Sequence, residues 1–234
     1  TPGKSLVGIA LLSVRGPEGW VSGVGVVPPW RRHGVGRAIV RQVQQTARDS
    51  GLRSLRLEVL AENAAGKALY KQQGFAWQRD LLVLRLEATS PKTRGSASFE
   101  LLNLDWARPR MLLNAHGRCH TVEPSWQRAL PSLRKRANRV QGLGLWRQSK
   151  LVGYVLFQAQ PDVCHIVDLG VDRTLPGRVA VARQILLTLH GMYPDLGGYT
   201  INVPAEAPLL AAYTDIGYRA WHRQSEMVWE VSPA

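Results

Sequence analysis

Acidic residues are scarce: 17 stand against 30 lysines and arginines in 234 residues, a formal net charge of +13. Cysteine is scarcer still, with only Cys119 and Cys164, a usage that fits a reducing compartment. No apolar run is long enough to span a bilayer and no charged-then-apolar leader is visible, so the chain is expected to be soluble, cytoplasmic and without a membrane partner. The basic excess is spread along the chain instead of gathered in a tail. Such charge suits a phosphorylated ligand, an acidic substrate, nucleic acid, or simply a solvated arginine-rich surface. No interleaved aromatic patch accompanies it, which ranks nucleic acid last among the partners.

Apolar residues make up 45% of the chain, enough for a substantial core in one large or two small domains. The most informative stretch runs from Val24 through Val26-Val27-Pro28-Pro29-Trp30-Arg31-Arg32-His33-Gly34-Val35-Gly36-Arg37-Ala38. A β-branched strand passes through two prolines into a glycine-spaced turn. Val35, Ile39, Val43 and Ala47 then share one face of a helix, with Gln44 elsewhere, and Gly51 ends it. A strand feeding a helix start leaves several N–H groups without intrahelical partners, at the positive end of the dipole. That is an anion cradle. Gly34 and Gly36 admit a pyrophosphate close to the main chain, and Arg31, Arg32 and Arg37 surround it with charge. No Gly-Lys-Ser/Thr follows and the spacing is not G-x-G-x-x-G, which excludes two other phosphate loops.

Val26 to Ala38 resembles the signature V-x-P-x-[aromatic]-R-x-x-G-[V/I]-G-x-A of the GNAT superfamily of acetyl-CoA-dependent N-acetyltransferases, with every position filled. The resemblance implies that main-chain groups from Arg32 through His33, Gly34, Val35 and Gly36 to Arg37 hold the CoA pyrophosphate, beside Arg31. It also implies that the strand edge at Val26 and Val27 pairs with the pantetheine arm. The second half of the signature follows at Asn63-Ala64-Ala65-Gly66-Lys67-Ala68-Leu69-Tyr70-Lys71-Gln72-Gln73-Gly74-Phe75, after a strand in which Leu55, Leu57 and Val59 alternate. Asn63 suits an N-cap and Gly74 a left-handed C-cap. By the resemblance Asn63 also contacts the cofactor arm, and Tyr70 protonates the departing thiolate. The position at which relatives carry a basic Glu is Trp20, and the strand Trp20 to Val27 has no titratable residue. Glu18, Glu58 and Glu62 are near in sequence, but none matches that position.

Residues 4–28 lie over 149–173 at an offset of 145, Leu6-Val7-Gly8 on Leu151-Val152-Gly153 and Gly25-Val26 on Gly170-Val171. Tyr213 with Gly217-Tyr218 repeats Tyr70 with Gly74-Phe75. The chain reads as a tandem duplication of α/β (mixed-sheet) GNAT-like modules: 1–87, a polar linker 88–96, and 97–234. The second copy carries an opening segment, with a strand at Phe99 to Leu104, helical stretches at Met111 to Ala115 and Trp126 to Val140, and Ser125 as an N-cap. Copy one begins at what would be its third family strand, so about fifty residues before Thr1 are expected to be missing, or the domain is naturally short and walled by the other copy.

In copy two the cradle reads Asp172-Arg173-Thr174-Leu175-Pro176-Gly177-Arg178, with one glycine of the pair replaced and a proline inserted, and Glu206 stands where Asn63 stands. It is expected not to bind CoA. His116, Cys119 and His120 form an H-x-x-C-H cluster with no partner set visible elsewhere, read as surface or groove residues and not as a metal site. The expected activity is acetyl transfer from acetyl-CoA, without a metal, to a primary amine of a small molecule or peptide. A silent CoA-binding or protein-interaction module is the alternative.

Overall fold

A computed structural model of the chain describes residues 5–88, 101–105 and 109–231, the side chains of residues 109–112 excepted. They fall into two compact units that interleave along the sequence: 1–80 with 223–234, and 81–222.

The first unit opens with a hairpin, β1 (Gly8–Arg15) and β2 (Glu18–Val26), turned at Gly16 in the left-handed region. Helix α1 (Val35–Asp49) leads to β3 (Ser54–Leu60), which lies parallel to β2, as a strand reached through a helical crossover can. Helix α2 (Ala64–Gln72) follows, then the start of β4 (Ala76–Leu86). The core stacks Leu55, Leu57 and Val59 of β3 on Val40, Val43 and Ala47 of α1, closed by Phe75. The buried stripe of α1 is rotated from the expected one: Gln44 is buried and donates Nε2–H to the Gln73 carbonyl at 2.7 Å, tying α1 to the end of α2. Val35 and Ile39 instead crowd Gly8, where a Cβ would stand 2.6 Å from Ile39 Cδ1.

The second unit contains β5 (Leu101–Asn103), α3 (Pro109–Cys119), α4 (Leu130–Arg134), β6 (Gln141–Arg147), β7 (Lys150–Ala159), β8 (Val163–Val171), α5 (Arg178–Met192), β9 (Gly197–Pro204) and α6 (Leu210–Asp215). Its strands run β4-β9-β8-β7-β6-β5. The β7–β8 pair keeps the register of β1–β2, Gly153 opposite Val171 as Gly8 is opposite Val26. Of the expected opening strand, Leu101–Asn103 is observed and Phe99 lies outside the described residues. The expected helix from Trp126 to Val140 is broken. Ser125 does not cap it, because its hydroxyl donates to the Asn202 carbonyl at 2.8 Å; the helix starts only at Leu130, with Pro131 in its first turn, and a 3₁₀ turn covers Ala137–Arg139.

Strands β4 and β10 (Arg219–Glu230) each belong partly to both units. Gln224 to Glu230 of β10 pairs antiparallel with β3, putting Met227 into the first core, while Leu81 to Leu86 of β4 pairs with β9 and puts Leu82, Leu84 and Leu86 into the second. The sequence-based boundary near residue 90 lies outside the described residues. Among the described residues no helix is long and apolar enough to cross a membrane.

Candidate functional site

After Val26 the chain makes a 3₁₀ turn at Pro28–Trp30, then passes through Arg32 and Gly34, both at positive φ (66° and 80°), into α1. The first helical bond runs from Ala38 N–H to the Gly34 carbonyl at 3.0 Å. The N–H groups of Val35, Gly36 and Arg37 therefore point forward from the helix start, with no capping side chain and no acid in the first turn. Arg31, Arg32 and Arg37 are exposed around them. Arg31 Nε–H donates to the Val26 carbonyl at 3.1 Å, and His33 Nδ1 lies 2.8 Å from the Arg31 carbonyl, which turns its ring onto the loop itself.

The cradle opens into a slot made by a splay in the sheet. Strand β2 pairs with β3 only from Glu18 to Val21, opposite Ser54 to Leu57, while both strands continue further. Val27 N–H donates to the Val7 carbonyl at 3.0 Å, so Val27 and Val7 are the hydrogen-bonded pair; by alternation Val26 and Val24 turn their main-chain groups away from β1, into the splay. Of the two residues expected at the strand edge, Val26 faces the splay, as Val24 does, and Val27 faces β1. Both main-chain groups of Val27 are engaged, the carbonyl accepting from Trp30 N–H at 2.9 Å, while the Val26 carbonyl accepts from Arg31.

A cavity of about 550 Å³ occupies this slot. It brings together Val26, Arg31, Arg32, Gly34, Gly36, Arg37, Asn63 and Tyr70; Val27, His33 and Val35 do not line it. Sequence reasoning missed Val24, Ala65, Gly66 and Leu69. The signals for them were the period of two from Val26 and the helical spacing from Tyr70. Asn63 Oδ1 accepts the Gly66 N–H at 2.9 Å as an N-cap. A Cβ on Gly36 would stand 3.3 Å from Leu69 Cδ2, so glycine there lets α1 and α2 approach across the slot.

Tyr70 stands edge-on to Phe75, with ring centroids 5.8 Å apart. Burial pushes its phenol up from the ordinary value, so it keeps its proton at neutral pH. The carboxylate nearest to Trp20 is Glu58: the indole N–H donates to Glu58 Oε2 at 2.7 Å. Glu58 is the first β3 residue beyond the paired segment, at the apex of the splay, opposite Glu226 of β10. Arg79 Nε–H donates to Glu226 Oε2 at 2.6 Å. Glu18 instead meets Arg15 and Arg56, at 3.6 and 3.7 Å.

The second unit repeats the helix start without the slot. Gly177, at φ 65°, precedes α5, and Val181 N–H donates to its carbonyl at 3.1 Å. Arg178 turns back and donates from Nη2 to the Cys119 carbonyl at 3.0 Å. Asp172 locks the loop, accepting from the Thr174 N–H and hydroxyl at 3.1 and 2.8 Å and pairing with Lys150 at 3.1 Å. Desolvation opposes its charge, yet these partners hold Asp172 well below the usual carboxylate range. The cavity beside Arg178 and Tyr213 has a volume of about 40 Å³.

Residues 2–75 match the model of the acetyltransferase (GNAT) family. A mycothiol acetyltransferase of Nocardiopsis dassonvillei is 40% identical over 67 residues, which are 28% of this chain and 20% of that protein. Among solved structures, a GCN5-related N-acetyltransferase from Sphaerobacter thermophilus superposes with a TM-score of 0.74 at 19% identity, over 97% of this chain and 78% of the other. A tandem GNAT protein from the clavulanic acid biosynthesis pathway superposes with a TM-score of 0.69 at 19% identity, over 97% and 80%. Residues 2–75 thus match the acetyltransferase (GNAT) family, and the fold over nearly the whole chain is the one these solved structures share.

Proposed function

We propose that the chain moves an acetyl group from acetyl-CoA to a primary amine of a small molecule or peptide, using the first unit. The observation that carries this reading is the continuity of cradle and slot: one cavity joins the helix start of α1 to Val24 and Val26 on the splayed side of β2 and to Tyr70. From Val26 back to Val21 five residues of strand span about 17 Å, a distance suited to an extended pantetheine arm. With the pyrophosphate on the cradle, the thioester then lies near the splay apex. There Glu58 takes a proton from the incoming ammonium, the amine nitrogen attacks the thioester carbon, the C–S bond breaks, and Tyr70 donates its proton to the leaving thiolate. Arg31, Arg32 and Arg37 hold the phosphates and Asn63 borders the arm.

The second unit, read as a copy whose slot has closed, does not take CoA: about 40 Å³ is left where the first unit keeps about 550 Å³. Calorimetric titration of acetyl-CoA into the chain and its Gly34→Glu variant tests both statements. One site per chain, lost in the variant, is the expected result; two sites, or one that survives, would overturn the assignment. A CoA-binding module without turnover is the second reading, favoured by Trp20 in the position where relatives carry a base. Single-turnover assays across a panel of amines separate the two, since a silent module binds without releasing free thiol in the presence of amine.

A further inference from the structure

The H-x-x-C-H cluster acquires in three dimensions a third member that the sequence hides. His116 and His120 are four residues apart on α3, so they share one face, with ring centroids 4.4 Å apart. Strand β8 sets the fully buried Asp168 against them, and one donor atom from each of His116, His120 and Asp168 lies within 4.8 Å of the others. Tyr154 of β7 completes the group. His120 Nε2 stands 3.0 Å from Asp168 Oδ2 and 3.2 Å from the Tyr154 hydroxyl, which is 2.8 Å from the same Oδ2. Those three atoms form a triangle close to one face of a tetrahedron around an ion with bonds of about 2.0 Å.

We propose that His116, His120 and Asp168 bind one divalent transition-metal ion of the zinc class, with the Tyr154 oxygen as fourth ligand. Outer contacts of the kind that hold metal ligands in place are present. The Arg128 carbonyl lies 3.3 Å from His116 Nε2 and orients that ring, and Arg128 Nη2–H donates to Asp168 Oδ1 at 2.9 Å, leaving Oδ2 for the ion. The guanidinium sits on Oδ1, away from the His120 and Tyr154 atoms that meet Oδ2. A cavity of about 40 Å³, more than the space of one water, borders the group at His120 and Arg128. Two histidines with one carboxylate, offered by a helix and a strand, favour zinc or cobalt over magnesium or calcium, which prefer oxygen ligands.

The test uses the whole chain stripped with a chelator. Zinc is titrated calorimetrically, and cobalt by visible absorption. The expected result is one saturable equivalent per chain and the intense bands of tetrahedral cobalt. His116→Gln and His120→Gln should each weaken zinc by more than about 100-fold, beyond the loss seen for outer contacts, while His33→Gln with His222→Gln changes nothing. Absence of a saturable equivalent in the unmodified chain, octahedral cobalt bands, or equal binding by all variants would overturn the site and leave a hydrogen-bonded polar cluster. The cobalt spectrum of the unmodified chain decides the matter even if a variant fails to fold.

Discussion

Trp20 donates its indole N–H to Glu58 at 2.7 Å, so a strand without a titratable residue between Trp20 and Val27 meets a carboxylate on its parallel neighbour. If Glu58 is the base, Glu58→Gln lowers kcat by about 10²–10⁴-fold and leaves acetyl-CoA affinity unchanged. Trp20→Phe removes the indole hydrogen bond without removing the carboxylate, so the loss is smaller. Steady-state rates set beside calorimetry check both.

Burial holds the Tyr70 proton in place, as the proposed role of acid requires. Because its pKa is raised above 10.0, loss of activity from its ionisation falls above pH 10, and no limb from Tyr70 appears near neutrality. Tyr70→Phe is expected to lower kcat about tenfold or more with little change in KM for acetyl-CoA. A pH–rate profile of both proteins between pH 6 and 10 would show them parallel if this holds.

The two cradle glycines fail for different reasons when replaced. Gly34 sits at φ 80° with nothing within 4 Å of the place a Cβ would take, so Gly34→Ala carries only the left-handed backbone strain of about 1–2 kcal/mol. Gly36 has ordinary backbone but faces Leu69 at 3.3 Å, so Gly36→Val forces α2 outward and narrows the slot. Thermal melts should register the first substitution, and acetyl-CoA affinity the second more strongly.

His165 in β8 stacks on Tyr199, with ring centroids 4.3 Å apart, and among the described residues its Nε2 has no hydrogen-bond partner. Burial first, then Arg136 and Arg128, push its pKa down from 6.5 to about 4. The unfolded chain then takes up a proton at higher pH than the folded one. The stability this neutral ring retains is complete above about pH 6.5 and is lost as pH falls toward 4, by roughly 2–3 kcal/mol in all. Denaturant melts of the protein and of His165→Phe should differ in pH dependence across that window, the variant lacking this part of the slope.

What is legible in the sequence is local. The cradle shows because glycine spacing, prolines and the helix start lie within fifteen residues, and Asn63 and Gly74 act on their own helix ends. What stays hidden depends on strands brought together. Glu58 becomes a neighbour of Trp20 only through parallel pairing, and Asp168 joins His120 across 48 residues of sequence. Val27 misleads because which main-chain groups face the splay depends on register with β1, and a one-residue step reverses them. Ser125 looks like a helix start by composition, but a buried carbonyl at Asn202 claims its hydroxyl.

The interleaving of the units bears on how the first unit comes to exist. Every residue lining the large cavity lies between Val24 and Tyr70, yet the sheet beneath it is completed by β10, and Arg79 finds Glu226 only after 147 positions of sequence. Closing so long a loop is entropically unfavourable and slow. Until β10 is in place, β3 lacks its antiparallel neighbour. The unit that holds the large cavity is therefore completed late in folding, by a strand distant in sequence from every residue that lines it.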